Sequence, residues 1–187
     1  MKIAYLDSNV ILAKYMPLDP YHSSSYRILE EKFVQNITSA LTIVELAAVI
    51  GRQSEKIKFV DERSDVITAI EALSRTERIA AFIKFVLSEI SVKFLSHLGT
   101  EDLSLAQERI RLFSDYARAY SYAPEFRLKS LDLLHLAALK NIQIEGKISV
   151  DYFVTADNEI LGRKKEITRE LDVTTIDPDT LVRVEAT

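Results

Sequence analysis

Lys2-Ile3-Ala4-Tyr5-Leu6-Asp7-Ser8-Asn9-Val10 is a mostly apolar run that ends on a carboxylate and passes into a helix start. Residues 2–6 alternate poorly between polar and apolar, as expected of a strand buried on both faces. Such strands belong to parallel sheets covered by helices on either side.

The same texture recurs along the chain. After a helix over 10–15, Pro17 and Pro20 break the segment. The spacing predicts a helix over 22–35, a very short strand over 36–39 and a helix over 42–52 that is apolar almost all round, hence buried. Residues 53–88 are more charged and helical in pattern. A strand is expected over 90–95, a turn at Gly99-Thr100 and a long amphipathic helix over 103–120. A loop through Pro124 then leads to an apolar helix over 130–141. Gly146 precedes a strand over 151–155, followed by a charged helix over 158–170 and a last strand over 173–176 before Pro178. Strands alternating with helices imply an α/β fold with a parallel sheet covered on both faces. The 187 residues fit one domain, 1–187, with a helical elaboration at about 53–88.

Composition narrows the function classes. Hydrophobic residues at 48% suffice for a sizeable core, and only 4 Gly and 4 Pro argue against a turn-rich all-β protein. The absence of cysteine removes disulfides, thiolate zinc sites and cysteine nucleophiles, and fits a reducing, cytoplasmic setting. The N-terminus does not read as a signal peptide, and no uncharged apolar run reaches the roughly 18 residues of a membrane span. A net charge of −4 gives no global attraction for nucleic acid, so any phosphate-binding surface is a local patch.

Four acids interrupt apolar runs. Asp7 closes the first strand. Glu45 stands inside Leu41-Thr42-Ile43-Val44-Glu45-Leu46-Ala47-Ala48-Val49-Ile50. Asp132 opens Leu131-Asp132-Leu133-Leu134-His135-Leu136-Ala137-Ala138-Leu139, and Asp157 follows Asp151-Tyr152-Phe153-Val154-Thr155-Ala156. Asp is favoured at N-caps and turns, and near helix N-termini, which offers a plain structural reading of Asp7, Asp132 and Asp157. Glu45, ringed by Leu41, Val44, Leu46, Ala48 and Val49, has the least room for that reading. A buried charge is costly without a counter-ion, a proton or a metal. In open α/β sheets, sites form beyond the carboxyl ends of the strands, where all four can meet. Their convergence would create a divalent-cation pocket.

These stretches also carry a family pattern. Tyr5-Leu6-Asp7-Ser8-Asn9-Val10, Ser39-Ala40-Leu41-Thr42-Ile43-Val44-Glu45-Leu46, Leu131–Ala138 and Phe153-Val154-Thr155-Ala156-Asp157 occur in the order seen in PIN domains. The chain therefore resembles a PIN domain, the metal-dependent ribonuclease fold typified by VapC toxins. The resemblance implies a three-layer α/β/α fold with a five-stranded parallel sheet in the order 3-2-1-4-5. It implies Asp7, Glu45, Asp132 and Asp157 as the acidic cluster, Thr155 as the hydroxyl accompanying the last acid and Asn9 as support for the first. It also implies RNA as substrate, a homodimer and, within the toxin branch, an antitoxin protein as partner. The chain is longer than the compact toxins, and residues 53–88 account for the surplus as a dimer surface, a substrate clamp or a docking element.

The expected chemistry is phosphodiester hydrolysis with Mg²⁺ or Mn²⁺. Asp7 and Asp132 are expected as direct ligands, with Glu45 and Asp157 holding metal-bound water or a second metal. Arg127 and Lys129 upstream of Asp132, and Arg163, Lys164 and Lys165 downstream of Asp157, are candidates to hold substrate. Ordinary solvated charge is the competing account of all five. Tyr5, Tyr15, Tyr21 and Tyr26 read as packing more than as base-stacking groups, and His135, at i+3 from Asp132, reads as structural. An aspartate-nucleophile phosphatase also places Asp after its first strand, but needs an acid where this chain has Asn9. A catalytically silent RNA- or protein-binding module is the non-enzymatic alternative.

Overall fold

The computed structural model describes residues 1–53, 64–105 and 108–186. The chain runs β1 (Ile3–Leu6), α1 (Ser8–Ala13), α2 (His22–Glu30), β2 (Gln35–Ser39), α3 (Leu41–Gln53), α4 (Ser64–Glu71), α5 (Arg75–Glu89) and β3 (Val92–Leu95). It continues through β4 (Thr100–Leu105), β5 (Glu108–Phe113), α6 (Ser114–Phe126), α7 (Ser130–Gly146), β6 (Tyr152–Val154), α8 (Asn158–Leu161), α9 (Lys164–Leu171), β7 (Thr174–Ile176) and α10 (Pro178–Glu185).

Five strands form a parallel sheet in the order β3-β2-β1-β6-β7. Counted within that sheet alone, this is 3-2-1-4-5, as expected. The central strand shows why residues 2–6 alternate poorly. Ala4 and Leu6 enter one core, and Tyr5 enters the other. Strand β6 divides the same way, with Tyr152 and Val154 on one side and Phe153 on the other. The first core is closed by α1, α2, α3, α5 and α10 through residues such as Ile11, Ile28, Leu46, Phe82 and Leu181. The second is closed by α6, α7, α8 and α9 through Phe126, Leu136, Ile160 and Ile167. Each fully buried Leu or Phe contributes about 1.5–3 kcal/mol, so two-sided burial of the central strands is the main source of the fold's stability. Sheet order reverses between β1 and β6, which makes their carboxyl ends the topological switch point.

The structure departs from the sequence reading in five places. The helix expected over 103–120 is instead an antiparallel hairpin of β4 and β5 followed by α6. Leu103 faces Ile110 across the hairpin, and Asp102 faces Arg111 with a 2.9 Å ion pair. The apolar residues there obey a period of two, and cross-strand pairs of this kind add about 0.2–1 kcal/mol each. The turn expected at Gly99-Thr100 instead has Thr100 opening β4.

Pro124 lies inside the last turn of α6 and not in a loop. Tyr122 and Phe126 bury that turn, which ends at Arg127 in the left-handed conformation. The charged segment 158–170 is two helices, broken at Gly162 and Arg163. Pro178 starts α10, a helix the sequence reading did not expect after the last strand. Asp177 caps that helix by accepting from the Thr180 amide at 2.9 Å, with Pro178 at a position where its missing N–H costs nothing.

Of the segment 53–88, α4 and α5 are described, and residues 54–63 lie outside the described residues. Helix α5 carries Phe82, Phe85 and Val86 into the first core, so it is a load on the fold's interior and not only a surface addition.

Candidate active site

Backbone pairing sets the position of the first acid. The Asp7 amide donates to the Val154 carbonyl at 3.0 Å, extending the β1–β6 ladder by one residue. Asp7 occupies the N-cap position of α1, yet its side chain caps nothing. It turns inward, 5% exposed, where Asn9 Nδ2 (2.8 Å) and Thr155 Oγ1 (2.7 Å) both donate to Oδ2. Asn9 is itself fixed, because its Oδ1 accepts from the Ala156 amide at 3.0 Å. Thr155 Oγ1 also accepts from the Asp157 amide at 3.0 Å. One hydroxyl thus ties the first acid to the last.

Asp157 keeps its plain role as well. Its Oδ1 accepts from the Glu159 amide at 2.6 Å and caps α8.

Asp132 lies in the first turn of α7, where the backbone at Lys129 stabilises its charge. Its Oδ2 is buried with no hydrogen-bond partner. Burial, then Asp157, then Asp7, push its carboxyl up from the ordinary 3.8 to about 6. A half-buried acid under the charge of two others, with one oxygen lacking a donor, is a candidate to hold a cation.

Glu45 reaches the group from α3 through His135. Its Oε2 lies 2.5 Å from His135 Nε2, which also lies 3.8 Å from Asp7 Oδ1. One potential ligand atom from each of Asp7, Glu45 and His135 falls within 4.8 Å of the others. Helix α3 is less enclosed than its sequence suggested, since Val44 is 64% exposed and Ala48 faces solvent. The Glu45 side chain is nonetheless only 14% exposed, against His135.

His135 is 1% exposed and uses both ring nitrogens, its Nδ1 meeting the Tyr5 hydroxyl at 2.9 Å. Tyr5 in turn donates to Ser39 Oγ at 2.8 Å. Burial opposes a charged imidazole, but Tyr5, Glu45 and Asp7 together outweigh it and raise the His135 pKa well above its ordinary value. For Glu45, burial favours the proton, while His135 and Ser8 outweigh it and keep the carboxyl below its usual range. His135 is therefore more than a packing residue. It is a cationic brace that holds Glu45 ionised beside Asp7. The sequence signal was its i+3 spacing from Asp132, which puts both on one face of α7.

Among the described residues the group whose potential ligand atoms lie within 4.8 Å of one another is Asp7, Glu45 and His135, while Asp132 is reached by the charges of Asp157 and Asp7. Two carboxylates, with His135 Nε2 already engaged by Glu45, suit a hard divalent cation.

The expected basic groups are distributed unevenly. Lys129, the N-cap of α7, pairs with Glu159 at 2.9 Å and feels Asp157 and Asp132, so it borders the acids. Arg127 is exposed at the same α6–α7 turn. Arg163 pairs within its own helix turn with Glu166 at 3.9 Å, and Lys164 and Lys165 are exposed in the first turn of α9. Among the four tyrosines, Tyr5 and Tyr15 are buried, Tyr21 is half-buried, and Tyr26 is exposed on α2 under the Lys14 ammonium. A cavity of about 490 Å³ near the amino ends of β2 and β3, lined in part by Lys32 and Lys93, contains none of the acids.

No family model matches the sequence, and no curated protein matches it. Among solved structures, a chain of VapBC-1 from nontypeable Haemophilus influenzae is similar at 15% identity, covering 95% of this chain and 98% of that one, with a TM-score of 0.43. No described helix is long and apolar enough to cross a membrane.

Proposed function

We infer that the protein is a metal-dependent endoribonuclease of the PIN type, acting with Mg²⁺ or Mn²⁺ at the four acids. The observation that carries this is Asp132, whose orphaned buried oxygen sits beside Asp7 and Asp157 and holds its proton up to about pH 6. Asp7 and Asp132 would hold the ion directly, with Glu45 and Asp157 outside them. A bound divalent ion supplies charge neutralisation at phosphorus and lowers the pKa of a water.

The chain's own groups do the rest. Thr155 and Asn9 fix the rotamer of Asp7. His135 keeps Glu45 ionised and aimed at the cluster. Lys129, at the rim, offsets the repulsion between an acidic pocket and an incoming phosphate. Asn9 lacks the acid–base proton that an aspartate-nucleophile phosphatase requires, which disfavours that reading.

Cleavage of an RNA pool with Mg²⁺ or Mn²⁺, wild type against Asp132→Asn, tests the assignment. Loss of cleavage in the variant is expected, and unchanged cleavage sinks it. RNA binding with no cleavage by the wild type in Mn²⁺ would favour the silent binding module. We further propose, on the resemblance of its motifs, that the chain is a toxin that acts as a homodimer and is held by an antitoxin protein. Growth arrest on expression, relieved by Asp7→Asn, is the outcome that reading requires.

A further inference from the structure

We propose that Tyr5 and Ser39 are positioning residues for the acid site, joined through His135 into one relay that holds the elements carrying Asp7, Glu45 and Asp132 in register. The inference rests on the metal-binding reading of those acids.

The relay is buried throughout, with Tyr5 0%, His135 1% and Ser39 4% exposed. The Tyr5 hydroxyl donates to Ser39 Oγ at 2.8 Å. With that proton committed, the Tyr5 oxygen accepts from His135 Nδ1, 2.9 Å away. The other ring nitrogen meets Glu45 Oε2 at 2.5 Å. An imidazole held at both nitrogens has one orientation, and Glu45 takes its aim from that ring.

Packing does not call for these hydroxyls. Tyr5 stands in register with Ile37 and Phe153, both in the same apolar core, and the Phe153 ring centre lies 5.7 Å from its own. A phenylalanine suits such a place on the sheet, whereas a buried hydroxyl is a cost unless it is bonded. What the Tyr5 oxygen adds is direction.

Each member of the relay also stands near one acid in the chain. Tyr5 precedes Asp7 by two residues at the end of β1, and His135 follows Asp132 by three on α7. Ser39 is the last residue of β2, just ahead of α3, which carries Glu45. The path from Ser39 through Tyr5 and His135 to Glu45 therefore leaves the β2–α3 segment, crosses β1 and α7, and returns to α3. Acids brought together repel one another. The relay ties the elements beneath three of them, as Thr155 ties Asp7 to Asp157.

The test is calorimetric titration of the metal-stripped protein with MnCl₂, alongside thermal melting in EDTA and cleavage of an RNA pool. The variants are Tyr5→Phe, Ser39→Ala, Ser39→Thr and Tyr5→Phe/Ser39→Ala. Tyr5→Phe is expected to weaken Mn²⁺ binding about 10-fold, and Ser39→Ala about 3-fold. Because the two hydroxyls act in series, the double variant should also lose about 10-fold, where independent effects would multiply to about 30-fold. Ser39→Thr keeps the hydroxyl, and Ser39 lines a cavity of about 120 Å³ that has room for the added methyl. It should bind Mn²⁺ within about 2-fold of wild type. A role in packing alone would lower the melting temperature and leave Mn²⁺ affinity unmoved, and that result overturns the proposal. So do losses that multiply in the double variant, a Ser39→Thr as weak as Ser39→Ala, or a wild type that binds no Mn²⁺. If the affinities fall as expected but the wild type cleaves no RNA, the relay stands and the nuclease reading falls.

Discussion

Replacing Asp132 by Asn should stabilise the metal-free protein at alkaline pH and abolish its response to metal. In the fold the carboxyl titrates near 6, against 3.8 ordinarily. The folded state therefore binds the Asp132 proton more tightly than the unfolded state does. Folding loses stability as pH rises from about 4 to about 6, and the loss is constant above that. Two pH units correspond to about 3 kcal/mol. The side chain is only half buried, and solvent screening reduces this to roughly 1–2 kcal/mol.

An Asn keeps an oxygen for the Lys129 amide and turns a donor toward Asp7 and Asp157, where the orphaned Oδ2 now stands. At about 2–4 °C per kcal/mol for a chain of this size, the variant should melt roughly 2–8 °C above wild type at pH 8 in EDTA. At pH 5, about midway between the two values, the gap should be about half as large. Mn²⁺ should raise the wild-type melting temperature at pH 8 and leave the variant nearly unmoved. Circular dichroism melts at the two pH values decide it. A variant that melts at or below wild type at pH 8, or shows the same gap at both pH values, refutes the claim that Asp132 is a strained acid awaiting a cation.

Three further outcomes are expected. Thr155→Val keeps the volume but removes the donor to Asp7 and the acceptor for the Asp157 amide. It should weaken Mn²⁺ binding by about 10- to 100-fold in calorimetric titration, and an unchanged affinity would show that Thr155 is only packing. His135→Ala leaves Glu45 and Tyr5 without their buried partner and should cost about 3–5 kcal/mol in urea unfolding. A loss below about 1 kcal/mol would contradict a charged brace. Asp177→Ala removes the α10 cap and should cost about 1 kcal/mol by the same measurement with no effect on Mn²⁺ affinity.

The parallel sheet was legible because its strands are buried on both faces, and such strands are continuous apolar runs. The four acids stand out in the sequence because each interrupts or borders one of those runs. What the sequence hid were features set by tertiary contacts or by a competing period. Leu103, Ile110 and Leu112 fit a helical face about as well as a strand face until Asp102 is seen opposite Arg111. Pro178 signals a helix start only when read together with the Asp177 cap. His135 looked like packing because its partners Glu45 and Tyr5 lie 90 and 130 residues away. Glu45 was singled out for an enclosed helix, yet α3 exposes Val44, and the contact that matters is made by a residue on another helix.

The β1–β6 pairing sets an order of events during synthesis. Asp7 emerges early, but the strand that positions it and the hydroxyl that fixes it come some 148 residues later. A ribosome-bound chain that has made β1 through α7 holds Asp7, Glu45 and Asp132 without Thr155 to tie the cluster together. Whatever chemistry this site performs, it is withheld from the nascent chain until β6 and Thr155 have been made.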